Sequence, residues 1–397
     1  MNREALSTAH NKLRSSIFNF RSGGLSAHIA QKNIITRYNV ETRRHYSWRN
    51  QVMLFSSETA AKKPATGPLF DHHNNTFRST TSQGKYGSTE VLNGELISDT
   101  IPSVPLTYDL LNEHSCQFVS EKSPVVILHG LFGNKLNNRS IGRELNELLA
   151  RDVYLPDLRN HGGSPHIGRH DYISMALDVE RFIQEVVMKA PGAKKPIIIG
   201  HSMGAKAAMS VVLRKPDLCS MLVSIDNAPV ATPPLNAFPR YTKKLLQIIN
   251  EPQIETVKQV DDALKDVEDS PVVRQFLITV LQRSKNKDTG KWGFTSKIPL
   301  GILNDAIVKG NVSNWEFNPW VHRYCGPALF IRGTKSHYVA DEHLPDVANF
   351  FPNFEVRDID AGHWVNSEKP KECVRDIVEF VERHEDELVS PSFRFQG

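Results

Sequence analysis

The sequence predicts an α/β fold, with a mostly parallel β-sheet that carries helices on both faces, and three observations predict it. From about Val104 onward, short apolar runs alternate with stretches of helical periodicity. The short runs are rich in β-branched residues and are apolar throughout, as strands buried on both faces are. Between Val230 and about Asn318 the rhythm becomes mainly helical. Strands that alternate with helices are typical of parallel βαβ units.

Six strands are predicted in chain order, each ended by a glycine or a turn. They lie in the segments PVVILHG (124–130), RDVYLPDLRNHG (151–162), PIIIG (196–200), SMLVSIDNAP (220–229), ALFIRG (328–333) and FEVRDIDAGHW (354–364).

Helices are predicted between these strands from apolar residues at helical spacing. The apolar faces are Ile141, Leu145, Leu148 and Leu149; then Tyr172, Met175, Ala176, Val179, Phe182, Ile183 and Val186; and, in a closing helix, Val374, Ile377, Val378 and Val381. Another helix is predicted from the small residues that follow Gly204 through Val212.

The segment at about 230–318 is predicted to be a helical lid. It begins at TPPLNAFP and interrupts the alternation before the last two strands. Such an insertion would lie over the carboxyl edge of the sheet, where open α/β sheets bind ligands. We therefore divide the chain into a predicted mitochondrial transit peptide at 1–46, a flexible polar lead-in at 47–99 and an α/β domain at 100–390.

The transit peptide is predicted from charge and composition. The first 44 residues carry eight Lys or Arg and two Asp or Glu, a net charge of +6, which leaves −2 for the rest of a chain with a total of +4. Arg- and Ser-rich, acid-poor leaders of this kind direct proteins to mitochondria. The string RRHYS predicts cleavage after Tyr46. The alternative is an ordinary basic tail. The location expected is mitochondrial, in the matrix.

Several classes of function are disfavoured by composition. The body is nearly neutral, which gives no basic surface for nucleic acid. The four cysteines, Cys116, Cys219, Cys325 and Cys373, are far apart, so neither a zinc site nor a redox pair is expected. No apolar run approaches the length of a transmembrane helix. We expect no metal and no bound cofactor.

The segment IIIGHSMGAKAAM predicts a catalytic serine. Its G-x-S-x-G pattern (Gly200, Ser202, Gly204) follows a buried strand and precedes helix-compatible residues. Serine at such a corner is held in a strained conformation that exposes its hydroxyl, and flanking glycines allow the chain to approach itself closely. The alternative is a chance match in a loop.

A serine hydroxyl needs a base, and the base needs a carboxylate. His363, in the loop after the last predicted strand, has the position expected for the base, and Gly362 lets the chain turn there. For the acid, the expected place after ALFIRG holds Ser336, which carries no charge, and Asp341 follows several residues later. Asp226, at the end of SMLVSID, is favoured, although Asp before Asn and Pro also serves as a turn cap.

Two backbone N–H groups are expected to stabilise an oxyanion. They are those of Met203, directly after the serine, and Leu131, in the loop after LHG. His129 is expected to be a structural hydrogen-bonding residue at that corner. For Asn160 and His161, the expectation is a satisfied turn, with lining of the pocket as the alternative.

Several segments together are similar to one family. VILHGLFGNKLNNRSIGREL, RDVYLPDLRNHGGSPH, HDYISMALDVERFI, IIIGHSMGAKAAM and SIDNAPV resemble the mitochondrial α/β-hydrolases of fungi and animals, and among these the yeast ethanol acetyltransferases and their sister hydrolases. The resemblance implies the α/β-hydrolase fold and a triad of Ser202, Asp226 and His363. It also implies transfer of acetyl from acetyl-CoA, as substrate, to ethanol, with esterase and thioesterase side activities.

Two alternatives remain at the level of sequence. One is an ester or thioester hydrolase without significant alcohol transfer, since the sister hydrolases share these motifs. The other is a hydrolase-fold protein that only binds a partner. Such proteins usually lack the serine or the histidine, and this chain has both in the expected context.

Overall fold

The computed structural model describes residues 69–71, 76–78, 91–92, 95–96, 101–112, 122–232, 237–285 and 290–389, and of 69–71, 76–78, 91–92, 95–96 and 386–389 the backbone alone. The predicted transit peptide, with its cleavage site after Tyr46, and Cys116 lie outside the described residues. Within the predicted lead-in the structure describes two small antiparallel pairs, Leu69–Asp71 with Thr76–Arg78 and Val91–Leu92 with Glu95–Leu96.

A seven-stranded sheet forms the centre of the fold. In chain order its strands are β1 (Tyr108–Leu111), β2 (Val125–Leu128), β3 (Val153–Pro156), β4 (Ile197–His201), β5 (Met221–Ile225), β6 (Ala328–Gly333) and β7 (Phe354–Ile359). Their order across the sheet is β7-β6-β5-β4-β2-β3-β1. All neighbours are parallel except β1, which pairs antiparallel with β3. The predicted fold class and all six predicted strands are confirmed.

The sequence analysis did not predict β1. Its residues alternate in exposure, and Tyr108 and Leu110 remain well exposed at the edge of the sheet. The four central strands β2, β4, β5 and β6 are buried on both faces, which explains why continuous apolar runs predicted them while an amphipathic edge strand escaped notice.

Ten α-helices are described. They are α1 (Arg139–Leu149), α2 (Tyr172–Phe182), α3 (Met203–Arg214), α4 (Ala237–Asn250), α5 (Val257–Leu264), α6 (Pro271–Thr279), α7 (Leu300–Val308), α8 (Leu344–Phe350), α9 (Val365–Glu368) and α10 (Pro370–Val389).

Alternate residues of each strand face two separate cores. Ile127 and Ile199 point to the face covered by α1 and α10, whereas Val126 and Ile198 point to the face covered by α2 and α3. Helices thus lie on both faces of the sheet, as predicted, and the central strands are buried between them.

Two details of the helical faces differ from expectation. Leu148 is 54% exposed, because Ile141, Leu145 and Leu149 already define the buried stripe of α1. After α2 the chain makes a π-helical turn at Ile183–Val187, and its extra residue per turn shifts the buried position from the predicted Val186 to Val187.

The segment predicted as a lid contains α4 to α7 in its described part, together with a hairpin that the sequence analysis missed. The hairpin pairs Leu281–Lys285 with Trp292–Ser296. Leu281 and Phe294 are its only buried residues among those described. Because so few of its residues are buried, the segment lacks the regular alternation of apolar and polar residues that predicts a strand.

Candidate active site

Ser202 stands at a sharp corner between β4 and α3. Its φ is +55° and its ψ is −117°, a backbone conformation that side chains rarely adopt. A Cβ on Gly200 would lie 2.2 Å from the Gly204 carbonyl oxygen, and one on Gly204 would lie 2.5 Å from the Leu128 carbonyl oxygen. Both glycines are therefore required by close packing, as the sequence analysis expected.

A continuous chain of hydrogen bonds joins the three predicted catalytic side chains. The distance from Ser202 Oγ to His363 Nε2 is 2.8 Å, and that from His363 Nδ1 to Asp226 Oδ2 is 2.7 Å. Carboxylate oxygens accept, so Nδ1 carries the proton and Nε2 is free to receive one from the serine. The geometry is that of a nucleophile, a base and an orienting acid.

Asp226 is buried at the end of β5. Two hydrogen bonds, besides the one from His363, hold its carboxylate in place. The Gly333 N–H donates to Oδ1 over 3.0 Å, and the Ser336 hydroxyl donates to Oδ2 over 2.5 Å. Asp341, the alternative acid, is 83% exposed and pairs with Arg332 over 2.5 Å. The structure therefore places Asp226, and not Asp341, beside the histidine.

Two aromatic side chains that the sequence analysis did not assign fix His363. The Tyr338 ring stacks on the imidazole with centroids 4.0 Å apart, and burial raises the pKa of its hydroxyl. His201 Nε2 donates to the His363 carbonyl oxygen over 2.9 Å. Burial lowers the pKa of His201 to about 4, so this second imidazole is neutral near pH 7 and is not a competing acid.

The two predicted oxyanion donors lie beside Ser202. The N–H of Met203 is the first in α3 and has no intrahelical acceptor. That of Leu131 donates to no protein acceptor within the described residues, and both residues line a cavity with the serine. The Phe132 N–H donates to His161 Nε2 over 3.1 Å, which helps to fix the loop that contains Leu131.

His129 and His161 make hydrogen bonds with the backbone. His129 also lines one of the two cavities beside Ser202, whereas His161 lines neither. His129 Nδ1 donates to the Gly130 carbonyl over 2.9 Å, and its Nε2 accepts from Leu158 N–H over 3.0 Å. Burial lowers the pKa of both histidines. These contacts agree with a structural role.

Asn160 is likewise a satisfied turn residue. Its φ is +64°, and its side-chain oxygen accepts from the Ile167 N–H over 2.7 Å. It is fully buried and lines neither of the cavities beside Ser202. The turn interpretation therefore fits Asn160 better than a place in the pocket.

Two cavities meet at Ser202, and Leu131 and Phe238 line both of them. Cavity A, of about 60 Å³, is bounded on one side by His363 and Trp364. Cavity B, of about 40 Å³, lies on the other side and is bounded by Met203, Tyr172, Thr232, Ser313, Tyr338 and five further residues. Phe238 belongs to α4, so the segment predicted as a lid forms part of both walls.

Other kinds of site find no support in the part of the chain that the structure describes. It holds no group of three or more His, Cys, Asp or Glu side chains able to bind a metal ion. None of its helices is long and apolar enough to cross a bilayer.

Comparison with known proteins agrees with this geometry. Residues 123–370 match the model of the alpha/beta hydrolase fold family. A probable alcohol acetyltransferase of Saccharomyces cerevisiae is 52% identical over 290 residues, which are 71% of this chain and 84% of the relative. An sn-1-specific diacylglycerol lipase ABHD11 of Xenopus tropicalis is 34% identical, over 70% of this chain and 82% of that protein.

Ethanol acetyltransferase 1 of Wickerhamomyces ciferrii is 33% identical, over 66% of this chain and 69% of that protein. Among solved structures, a marine microorganism esterase superposes with a TM-score of 0.59 at 30% identity, over 70% of this chain and all of the other. The sheet, the serine corner and these matches lead to one conclusion: the chain belongs to the alpha/beta hydrolase family.

Proposed function

We propose that this protein is an alcohol acetyltransferase that makes ethyl acetate from acetyl-CoA and ethanol through an acyl-serine intermediate. Esterase and thioesterase activities accompany the transfer when water replaces the alcohol. The observation that carries the proposal is the hydrogen-bonded chain Ser202–His363–Asp226, placed between two cavities. Two relatives give it further support by their names, the probable alcohol acetyltransferase and ethanol acetyltransferase 1.

Acylation proceeds at Ser202. Its Oγ attacks the thioester carbonyl carbon while His363 Nε2 takes the hydroxyl proton, and Asp226 stabilises the imidazolium that forms. The N–H groups of Met203 and Leu131 stabilise the oxyanion of the tetrahedral intermediate. The C–S bond then breaks, the departing sulfur takes the proton from Nε2, and the acetyl group remains on Ser202.

Deacylation repeats these steps with a different hydroxyl. His363 Nε2 removes the proton from ethanol, whose oxygen attacks the acyl carbon, and the bond to Ser202 Oγ breaks as Oγ regains a proton. Ethyl acetate is released. With water in place of ethanol the product is acetate, because the triad does not distinguish the two hydroxyls.

The position of His363 assigns the two cavities. Leaving group and incoming alcohol both exchange a proton with Nε2, so both must lie on the side of the serine that His363 borders, which is cavity A. The acyl substituent then falls in cavity B. A volume of about 40 Å³ holds on the order of three water-sized groups, which suits acetyl better than a fatty acyl chain.

A second candidate is an ester or thioester hydrolase, including one that acts on glycerolipid esters. The match to the sn-1-specific diacylglycerol lipase and to the esterase structure favours it. The same residues would perform it, so the two candidates differ in the acceptor and in the acyl group and not in the triad.

Product analysis with acetyl-CoA in the presence and absence of ethanol separates the two. We expect the ratio of ethyl acetate to acetate to rise with ethanol concentration while CoA release changes less, as it would if acylation limits the rate. Acetate alone at every ethanol concentration would contradict the transferase and favour the hydrolase.

A matched control is the Ser202→Ala protein, which we expect to form no acyl-enzyme while keeping its fold. A chromogenic short-chain ester tests the binding-only alternative, because a protein without catalysis releases no product. Near-normal turnover by the folded Ser202→Ala variant would overturn the assignment of the nucleophile.

We also propose that the protein works in the mitochondrial matrix, where acetyl-CoA is available as a donor. The basic, acid-poor composition of residues 1–46 supports this location.

A further inference from the structure

Lys206 is a buried lysine that takes no part in the proposed mechanism. It follows Ser202 by one turn in α3 and is 1% exposed. Among the residues that the structure describes, no carboxylate lies within 4.0 Å of its Nζ. A buried ammonium without a carboxylate partner is destabilising unless neutral acceptors surround it closely.

The acceptors of Lys206 come from the two ends of the lid. Nζ donates to Thr232 Oγ1 over 2.7 Å and lies 3.4 Å from the Ser313 carbonyl oxygen. The Thr232 N–H donates to that same carbonyl over 2.8 Å. Nζ also lies 5.4 Å from the centre of the Tyr172 ring and 6.0 Å from that of Trp315. One ammonium group thus joins the helix of Ser202 to both ends of the lid.

Three of these partners, Tyr172, Thr232 and Ser313, are walls of cavity B. The Tyr172 hydroxyl donates to the Val312 carbonyl over 2.6 Å, next to Ser313, so this wall is held at several points. Lys206 itself lies behind the wall. An acyl chain that extends beyond the cavity on this side has to displace Thr232 and the segment around Ser313.

We propose that Lys206 determines acyl specificity by holding the wall of cavity B that Thr232 and Ser313 form, so that Ser202 accepts short acyl groups and rejects long ones. The inference rests on the proposed function, because it takes cavity B as the acyl site. A long chain that pushes the wall aside removes the acceptors of Lys206 and leaves a buried amine without hydrogen-bond partners, which is costly whether or not it carries its proton. An acetyl group leaves those hydrogen bonds intact.

The protonation behaviour of Lys206 supports this account. Burial lowers the pKa of its ammonium to about 7, which indicates that the surroundings barely compensate the charge. Because the surroundings stabilise this ammonium so weakly, the loss of either acceptor has a large effect on it.

The test compares the full-length protein with Lys206→Met, which keeps the length of the side chain and removes its charge and donors. A second variant, Thr232→Val, keeps the shape of the partner and removes the acceptor. The control is Lys215→Met, the same chemical change just beyond the other end of α3, where the lysine pairs with Glu180 over 3.2 Å. Hydrolysis of p-nitrophenyl acetate, hexanoate and octanoate is measured per active serine, counted with a fluorophosphonate.

We expect the ratio of kcat/KM for octanoate to that for acetate to rise about tenfold or more in Lys206→Met and Thr232→Val and to stay unchanged in Lys215→Met. Unchanged ratios in both wall variants, with normal labelling of the serine, would overturn the inference and leave the proposed function standing. If Lys206→Met does not fold, Thr232→Val decides. A wild-type protein that neither labels nor cleaves any ester would refute the proposed function itself.

Discussion

The Ser336 hydroxyl lies 2.5 Å from Asp226 Oδ2, the same oxygen that accepts from His363. Ser336 occupies the place after β6 where an acid is expected from the sequence and none is present. The structure therefore brings the two strand ends together in one site: β5 supplies the charge, and the turn after β6 supplies a hydrogen bond that holds it.

The first prediction concerns the acid. Asp226→Asn should lower kcat by orders of magnitude, on the order of 10⁴ as in the reference triad, because an amide favours the wrong tautomer of His363. Asp341→Asn is the matched control, since that carboxylate pairs with Arg332 at the surface. Steady-state ester hydrolysis checks both. If Asp341→Asn proved the damaging change, Asp226 would not be the acid.

The second prediction isolates the contribution of Ser336. Ser336→Ala removes one of the hydrogen bonds to Asp226 and leaves those from His363 and Gly333. We expect a fall in kcat of about tenfold, with KM little changed, because a hydrogen bond to a charged group contributes roughly 1.5–3 kcal/mol and the others remain. A loss as large as that of Asp226→Asn would show that Ser336 does more than hold the carboxylate.

The third prediction addresses the lid. Phe238 lines both cavities and lies 5.8 Å from Phe132, ring centre to ring centre. Phe238→Ala should enlarge the space beside the acyl-serine and admit more water. The ratio of ethyl acetate to acetate should fall by about threefold or more, while CoA release changes less. Equal falls in both products would instead place Phe238 in the acylation step.

The fourth prediction concerns acid stability. Burial lowers the pKa of His129, His161, His170 and His201, to about 3 for His170 and about 4 for His201. Above the unfolded value of about 6.5 these rings are neutral in both states, so they do not change stability. Below it the unfolded chain binds protons that the native protein excludes, so stability falls as pH falls, down to the folded pKa values.

Melting temperature measured from pH 8 to pH 4 checks this. We expect a decline that steepens near pH 6.5, before most carboxylates titrate. It adds to the slope above pH 7 that comes from Lys206, whose pKa burial lowers to about 7. His170→Gln should make the decline shallower, since it removes one of the excluded proton sites. A constant melting temperature between pH 7 and pH 5 would contradict the neutral burial of these rings.

The fifth prediction tests the transit peptide. The full chain fused to a fluorescent protein should enter mitochondria and shorten by cleavage after Tyr46, whereas a fusion that begins at Ser47 should remain in the cytosol. Imaging and the mass of the purified mature protein measure the two effects. Unchanged import of the shortened fusion would refute a targeting role for residues 1–46.

Much of the fold and the site followed from local pattern. Gly200 and Gly204 flank a serine after a buried apolar run. Because this combination lies in one short segment, the sequence predicts the nucleophile. The role of His363 as the base is predictable because its loop follows the last strand. Strands buried on both faces, such as β4 and β5, leave continuous apolar runs that few other elements share.

The remaining features depend on contacts between distant parts of the chain. Tyr338 stacks on His363 across 25 positions, and Lys206 meets Ser313 across 107. Neither relationship leaves a periodic pattern. The hairpin Leu281–Lys285 with Trp292–Ser296 is exposed along most of its length, so its sequence lacks the alternation that reveals a half-buried strand.

The positive φ of Ser202 has a counterpart in Asp226, whose φ is +53°, at the end of the adjacent strand. Each such residue costs on the order of 1–3 kcal/mol, a sizeable fraction of the 5–15 kcal/mol by which domains are stable. The hydrogen bonds from Gly333 and Ser336 offset this cost at Asp226, whereas at Ser202 catalytic activity and stability compete. Laboratory selection for heat resistance alone would favour glycine at position 202, and the most durable descendants of this protein would be inert.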